Sequence, residues 1–576
     1  MTQMRTFLFI AWIMVAAMLF MSWNTDKAAQ SAAATQTAAA TTDATATAGG
    51  AGVPTTSAGT AAAIPSAATP TATPGMSAAT GAAPQVQVTT DVIKATLTGG
   101  ALTSAELLKY PKMLNGSDNV VLMSSQPANF FQAQSGWVGQ NGAAAPTHET
   151  SFVPASSGPF VMADGATELK VPFVWTGDNG VTITRTYTFK RGQYAVKVDD
   201  VVSNNGAAPW TAFDYRQLAR APVANVQKGP MHPESYSFQG AAWYSDAEAY
   251  DKRAFDDFDG EAALNQDSTG GWIGMLQHHF FGAWIPTQTE KVKIQTATLQ
   301  APTGPQYLLR EVGPTRTVAP GQQVSTSATL WAGPKLVDQI KAQNVRGLDR
   351  AVDYSSFSIL AAIANALFWV LEKIHDIVKN WGWAIVGLTI VIRALLYPLT
   401  AAQYKSAAKM RQFSPRIKQL QERYGDDKQK LQMATMELYR KEKFNPMAGC
   451  LPAFLQIPIF MAMYWMLAES VELRHAPWIG WIQDLTARDP YFILPILNVG
   501  IMFLTQHWTP MAPGMDPMQQ KILKFMPLAF GLLMLFMPAG LVLYWVTSGL
   551  IGLAIMLYIN KRMDRLHAES STVTSA

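Results

Sequence analysis

Beyond Asn380 the chain contains four long apolar stretches, at residues 381–399, 451–467, 491–508 and 522–559. In lipid such stretches can satisfy their backbone hydrogen bonds only as helices. The last is too long for one helix, and MPAG at residues 537–540 breaks it near its middle, which predicts a tight hairpin of two spans. Near the N-terminus another uncharged run, 7–23, follows Arg5 and precedes Asp26 with no small-residue cleavage site against it. It reads as an uncleaved anchor, which brings the expected total to six spans.

The rest of the chain is of a different kind. Residues 28–84 are almost entirely Ala, Thr, Ser, Gly and Pro, a composition that buries too little apolar surface to offset its chain entropy and so predicts a flexible tether. From about residue 85 the period becomes two: VTITRTYTF at 181–189, YAVKVDDVV at 194–202 and KVKIQTATL at 291–299 predict a hairpin-rich all-β domain reaching about residue 332. LVDQIKAQN and the stretch 358–378 then read as helices, the second lying flat on a membrane surface with its apolar face in the headgroups. Across 576 residues, 49% hydrophobic and 15% charged, the composition matches this soluble and membrane hybrid. The one cysteine, Cys450, excludes an internal disulfide.

Charge sets the orientation. Lys and Arg crowd residues 403–444, recur at Lys521 and Lys524, and return at Lys561, Arg562 and Arg565, whereas residues 469–490 hold two arginines against four acids. The positive-inside rule then puts both termini and residues 403–444 in the cytoplasm and the β domain outside. Helix-spaced Met410, Phe413, Ile417, Leu420, Leu431 and Leu438 flank YGDD, which predicts two antiparallel helices joined by a narrow apolar seam.

One residue resists a purely structural reading. Arg393, in TIVIRALLYPLT, lies 12 residues into the expected span 381–399, about 18 Å along it. Two readings stay open: the side chain snorkels to cytoplasmic headgroups, or it faces a hydrated cavity between helices. Thr389, one turn earlier, shares a face with it, and Gln456, Gln506 and Thr547 are other polar residues able to line such a space. The chain has no phosphate-binding GxxxxGK[ST] loop, no HExxH, no GxSxG and no His or Cys cluster, so neither enzymatic chemistry nor a cofactor or metal is expected.

The motifs IRALLYPLTAAQYKSAAKM, YGDDKQK, EKFNPMAGCLPAFLQIPIF, SVELRHAPW, DPYFILPILN, DPMQQKILKFMP and PAGLVLYW occur in order across residues 381–565. Together they resemble the YidC/Oxa/Albino family of membrane protein insertases, and FFQAQSGWVGQNG at 130–142 extends the likeness to its Gram-negative members. The resemblance implies a five-helix core around a hydrophilic groove, with Arg393 as the groove's positive charge, Thr389, Gln506 and Trp545 beside it, and the paired helices over its mouth. It further implies a periplasmic β-supersandwich of galactose-mutarotase type. The expected division is an anchor (1–24), a linker (25–84), the β domain (85–333), periplasmic and interfacial helices (334–380), a second span (381–402), a cytoplasmic hairpin (403–446), spans three to six (447–560) and a cytoplasmic tail (561–576). Expected partners are nascent inner-membrane proteins, the Sec translocon, the lipid bilayer and the ribosome through cytoplasmic loops. The tail LHAESSTVTSA lacks the basic run that would dock a ribosome directly.

Overall fold

A computed structural model of the chain describes residues 84–574, apart from 99, 150–151, 157, 223–236, 259–261, 303, 353, 355–356, 425–426, 443–450 and 509–516. The expected anchor and tether, and Cys450, lie outside the described residues. Two compact units divide between Val352 and Asp353.

The first unit is built from an eleven-stranded and a nine-stranded sheet. VTITRTYTF forms the strand Val181–Lys190, which turns through Gly192, at φ 71°, into the antiparallel strand Ala195–Asn204. Their inward faces carry Val181, Ile183, Tyr187, Val196, Val198 and Val202, all buried. The two sheets face each other across a core rich in tryptophan, with Trp137, Trp210, Trp284 and Trp331 enclosed. Polar atoms also cross the core: the Trp137 indole donates to Asp200 at 2.8 Å, and the Trp284 indole donates to the Gln217 carbonyl at 3.2 Å.

Charge is buried here as well. The Arg185 guanidinium donates to both carboxylate oxygens of Asp200, each at 2.7 Å, and also to Ser135. Nearby, Arg216 donates to Asp214 at 2.7 Å and to Glu311 at 2.9 Å, while Glu290 lies 3.7 Å away. Burial pushes the Glu311 carboxyl up to about 7, against the opposing pull of Arg216. A folded-state pKa above the ordinary value means that the fold holds a proton which the unfolded chain has released. Stability from this group is therefore full below about pH 4.3 and is lost as pH rises through about 7. Glu311→Gln should flatten that decline, so its unfolding midpoint falls less than the parent's between pH 5 and pH 8. An unchanged slope would assign the pH dependence to other groups.

The second unit is helical: α1 is Val337–Ala342 at the end of the first unit, and then follow α2 Ser358–Val378, α3 Trp381–Leu395, α4 Tyr397–Tyr424, α5 Lys428–Lys441, α6 Leu451–Glu469, α7 Ile493–Trp508, α8 Pro517–Met534 and α9 Ala539–Thr574. MPAG thus falls at the break between α8 and α9. Helices α2 and α3 join at Lys379, in the left-handed region, and Asn380, whose side chain accepts from the Trp383 amide at 3.0 Å and caps α3. The face of α2 carrying Ala364, Phe368 and Leu371 is buried, while Ile359 and Ile377 are exposed. Helices α4 and α5 pair through Phe413, Ile417 and Tyr439, with Met410 and Leu438 packed alongside, and Arg416 reaches Glu442 at 2.6 Å.

The 381–399 stretch is not one helix. It breaks at Leu396, and α4 leaves α3 at 66°. Pro398 supplies the reason: it has no N–H for the Ala394 carbonyl and its ring crowds that oxygen, yet it sits without cost in the first turn of a new helix. Among the described residues, one helix, Ala539–Met563 within α9, is by itself long and apolar enough to cross a membrane, and the bent α3 and α4 pair qualifies jointly.

Residues 470–492 form an ordered connection between α6 and α7. Asp489 accepts from the Trp481 indole at 3.0 Å and from the Leu494 amide at 2.7 Å, while Asp484 holds the turn at Thr486. The start of α9 is pinned to this segment, since the Ala539 amide donates to Ala487 and the Gly540 amide to Leu485.

Candidate functional site

The bend at Leu396 places Arg393 in the last turn of α3 rather than in the middle of a longer helix. Unpaired carbonyls at a helix C-terminus carry partial negative charge, so a cation is favoured there. The guanidinium is half-buried and points to α9, where its Nε donates to the Ser548 hydroxyl at 2.8 Å and its Nη2 donates to the same oxygen. One turn earlier on α9, the Tyr544 hydroxyl accepts from Gln456 Nε2 of α6 at 2.8 Å and lies within reach of Ser548. Three helices are thereby joined by a polar string running Gln456, Tyr544, Ser548, Arg393. Gly552 continues the same face of α9, and a Cβ there would stand 3.2 Å from the Tyr404 hydroxyl of α4.

Every member of the string except Arg393 is neutral. The charge is oriented by the Ser548 hydroxyl, and among the described residues no carboxylate forms an ion pair with it.

The other residues singled out in the sequence are placed differently. Thr389 is fully buried and donates to its own helix at Ile385 O, 2.7 Å away. Trp545 stacks on Phe460 of α6 at 4.9 Å and meets Phe530 of α8 at 5.0 Å, an aromatic wall beside the polar string. Gln506 is half-buried near the end of α7, and the hydrogen bonds around Arg393 run to α6 and α9 instead. Ser548 and Tyr544 escaped the sequence reading, although their spacing of four residues puts both on one face of α9. Outside this string the helices expose large apolar side chains, Leu395, Ile496, Phe525 and Leu532 among them, as lipid-facing surfaces do.

An arginine inside an apolar helical unit, in a chain that also carries a large two-sheet β unit, defines the class: a helical membrane protein with an appended β domain. The comparisons with known proteins narrow this. Residues 373–566 match the family described as 60Kd inner membrane protein, and residues 85–370 match the YidC periplasmic domain. The chain is 52% identical over 573 residues to the membrane protein insertase YidC of Stenotrophomonas maltophilia (strain R551-3), covering 98% of this chain and 97% of that one. It is 51% identical over 582 residues to that of Xanthomonas euvesicatoria pv. vesicatoria (strain 85-10), covering 99% and 98%. The chain belongs to the YidC family of membrane protein insertases. Among solved structures, a crystal structure of an active YidC insertase with its first transmembrane domain resolved matches at 18% identity and TM-score 0.36, over 82% of this chain and 91% of that one. A galactose mutarotase related enzyme from Lactobacillus acidophilus matches at 8% identity and TM-score 0.30, over 43% and 97%. Neither likeness is close enough to bear on function.

Proposed function

We propose that the chain inserts inner-membrane proteins by shortening the dry path that a client's polar flank must cross. The observation that carries this reading is the Arg393 charge, held by Ser548 within an apolar helical unit. A client's apolar segment gains free energy on entering lipid, so the barrier lies in its flank, and a fixed cation with hydroxyls around it attracts acidic flanks and stabilises water beside them. No step breaks a covalent bond, and none calls for a nucleotide.

In this reading the chain spans the inner membrane six times with both termini in the cytoplasm. Arg393, Thr389, Gln506 and Trp545 line a groove, α2 lies on the outer membrane surface, and the α4 and α5 pair covers the groove from the cytoplasm. Nascent inner-membrane proteins are the clients. The Sec translocon, and the ribosome through cytoplasmic loops, are the partners this arrangement would serve. The charge asymmetry between residues 403–444 and 469–490 supports the orientation.

Two measurements test it. Purified chain in liposomes, without nucleotide or translocon, should insert a single-span client with a short flank well above empty liposomes; parity with empty liposomes would refute unaided insertion. A membrane-impermeant thiol reagent should label a cysteine at the exposed Gln483 in intact spheroplasts but not one at the exposed Met433. Labelling of Met433 there would reverse the orientation.

A further inference from the structure

In the β unit, Arg185 bonds the Ser135 hydroxyl and Trp137 bonds Asp200, so Ser135 and Trp137 face the nine-stranded sheet. Strand alternation turns Gln134 to the opposite, outer face of the eleven-stranded sheet. Register then sets a row across that face: Gln134 is paired with Gln217, Gln217 with Arg310, Arg310 with Gln295, and Gln295 with Asn265. The amides at both ends of the row satisfy one another, Gln217 donating to Gln134 at 2.7 Å and Gln295 to Asn265 at 3.2 Å.

The centre of the row is unsatisfied. Arg310 is 4% exposed, yet among the described residues its Nε and Nη2 have no acceptor, and the Oε1 of Gln217, its register partner on the neighbouring strand, has no donor. A fourth buried atom, Nε2 of His148, is also without a partner among the described residues. The Tyr215 hydroxyl accepts from the His148 amide at 3.0 Å and meets His148 Nδ1 at 2.6 Å. Its single proton therefore goes to Nδ1, which leaves Nε2 as the N–H donor. Burial holds this imidazole neutral, at about 4, and pulls Arg310 down to about 10, where it is still charged at neutral pH.

A buried cation and acceptor left open in this way are costly unless something completes them. Nε and Nη2 form one edge of a guanidinium, two parallel donors whose spacing matches a carboxylate. Gln217 Oε1 asks for a hydroxyl, and His148 supplies one more donor. We infer that the outer face of the eleven-stranded sheet binds a small hydroxy acid, its carboxylate on Arg310 and a neighbouring hydroxyl on Gln217. The row is buried at Gln134 and exposed at Asn265, which sets the entry side. Gly136 suits the enclosed end, because a Cβ there would lie 2.8 Å from the Tyr215 hydroxyl.

The test is calorimetric titration of the full chain in lipid nanodiscs with gluconate, acetate, glucose and inorganic phosphate. Gluconate should bind most tightly. Arg310→Met should weaken it roughly ten- to a hundredfold, the range expected for a charge-assisted pair, without lowering the thermal stability of the β unit. Arg310→Lys, which keeps the charge but not the fork, should weaken it too and covers the case in which the methionine variant misfolds. Gln217→Met should lower gluconate affinity while leaving acetate unchanged. The inference is overturned if gluconate gives no binding heat, if both Arg310 variants bind it as the parent does, or if glucose or phosphate binds more tightly.

Discussion

Asp200→Ala is expected to destabilise the β unit by roughly 3 to 5 kcal/mol, the usual cost of leaving a buried ion without its partner. The Arg185 side chain is 2% exposed and gives two donors to that one carboxylate, so the variant strands a guanidinium among Trp137, Ser135 and Phe152 with nowhere to hydrate. Burial alone would raise the Asp200 carboxyl, but Arg185 and the Trp137 indole overcome that and hold it below the usual carboxylate range. A depressed folded-state pKa contributes stability that is present above about pH 4 and is lost as pH falls further. Tryptophan fluorescence during urea unfolding reads the effect, since Trp137 touches the pair. Removing both charges, as Arg185→Met with Asp200→Leu, should recover most of the loss. A single variant within about 0.5 kcal/mol of the parent would mean that the pair contributes no more than a surface contact.

That pair was legible in principle. In VTITRTYTF the apolar face reads Val181, Ile183, Arg185, Tyr187, Phe189, and in YAVKVDDVV it reads Val196, Val198, Asp200, Val202. A charge on each of two apolar stripes that meet in one hairpin is the signature of a buried ion pair, and the structure puts Arg185 directly opposite Asp200. The strands themselves were readable because alternation is local. The Gln134, Gln217, Arg310 row was not, because it brings together strands more than 170 residues apart in sequence, and which strand neighbours which is a property of the sheet. In the helical unit, run length and hydropathy revealed the helices and MPAG revealed a break. The bend at Leu396 was missed because hydropathy continues smoothly through it, although Pro398 carried the stereochemical reason. Thr389, one turn before Arg393 on α3, spends its hydroxyl on Ile385. Polar residue type alone could not single out Gln456 as the side chain tied to Tyr544. Only the helix packing does so.

Arg393→Ala is expected to keep the helices together and to impair insertion of clients with acidic flanks. Ser548 loses its partner but can return its hydroxyl to the Tyr544 carbonyl one turn back, so no buried polar group need be orphaned. What is lost is the field. A unit charge acting on an acidic flank residue about 8 Å away, at an effective dielectric near 20, is worth roughly 2 kcal/mol, or about thirtyfold in rate or occupancy. Lys should retain most of this because a field needs no bidentate geometry, though it reaches Ser548 with one ammonium rather than two guanidinium nitrogens. If Arg393 instead served only to anchor α3 at the interface, Ala would insert acidic and neutral clients alike.

The decisive measurement compares the parent, Arg393→Lys and Arg393→Ala at equal reconstituted amounts, each inserting two clients that share one apolar segment and differ only in an acidic or a neutral flank. An oriented positive charge predicts that Ala loses roughly tenfold or more on the acidic flank and little on the neutral one, with Lys close to the parent on both. Equal insertion of the acidic-flank client by all three proteins would contradict the assignment of Arg393 to function.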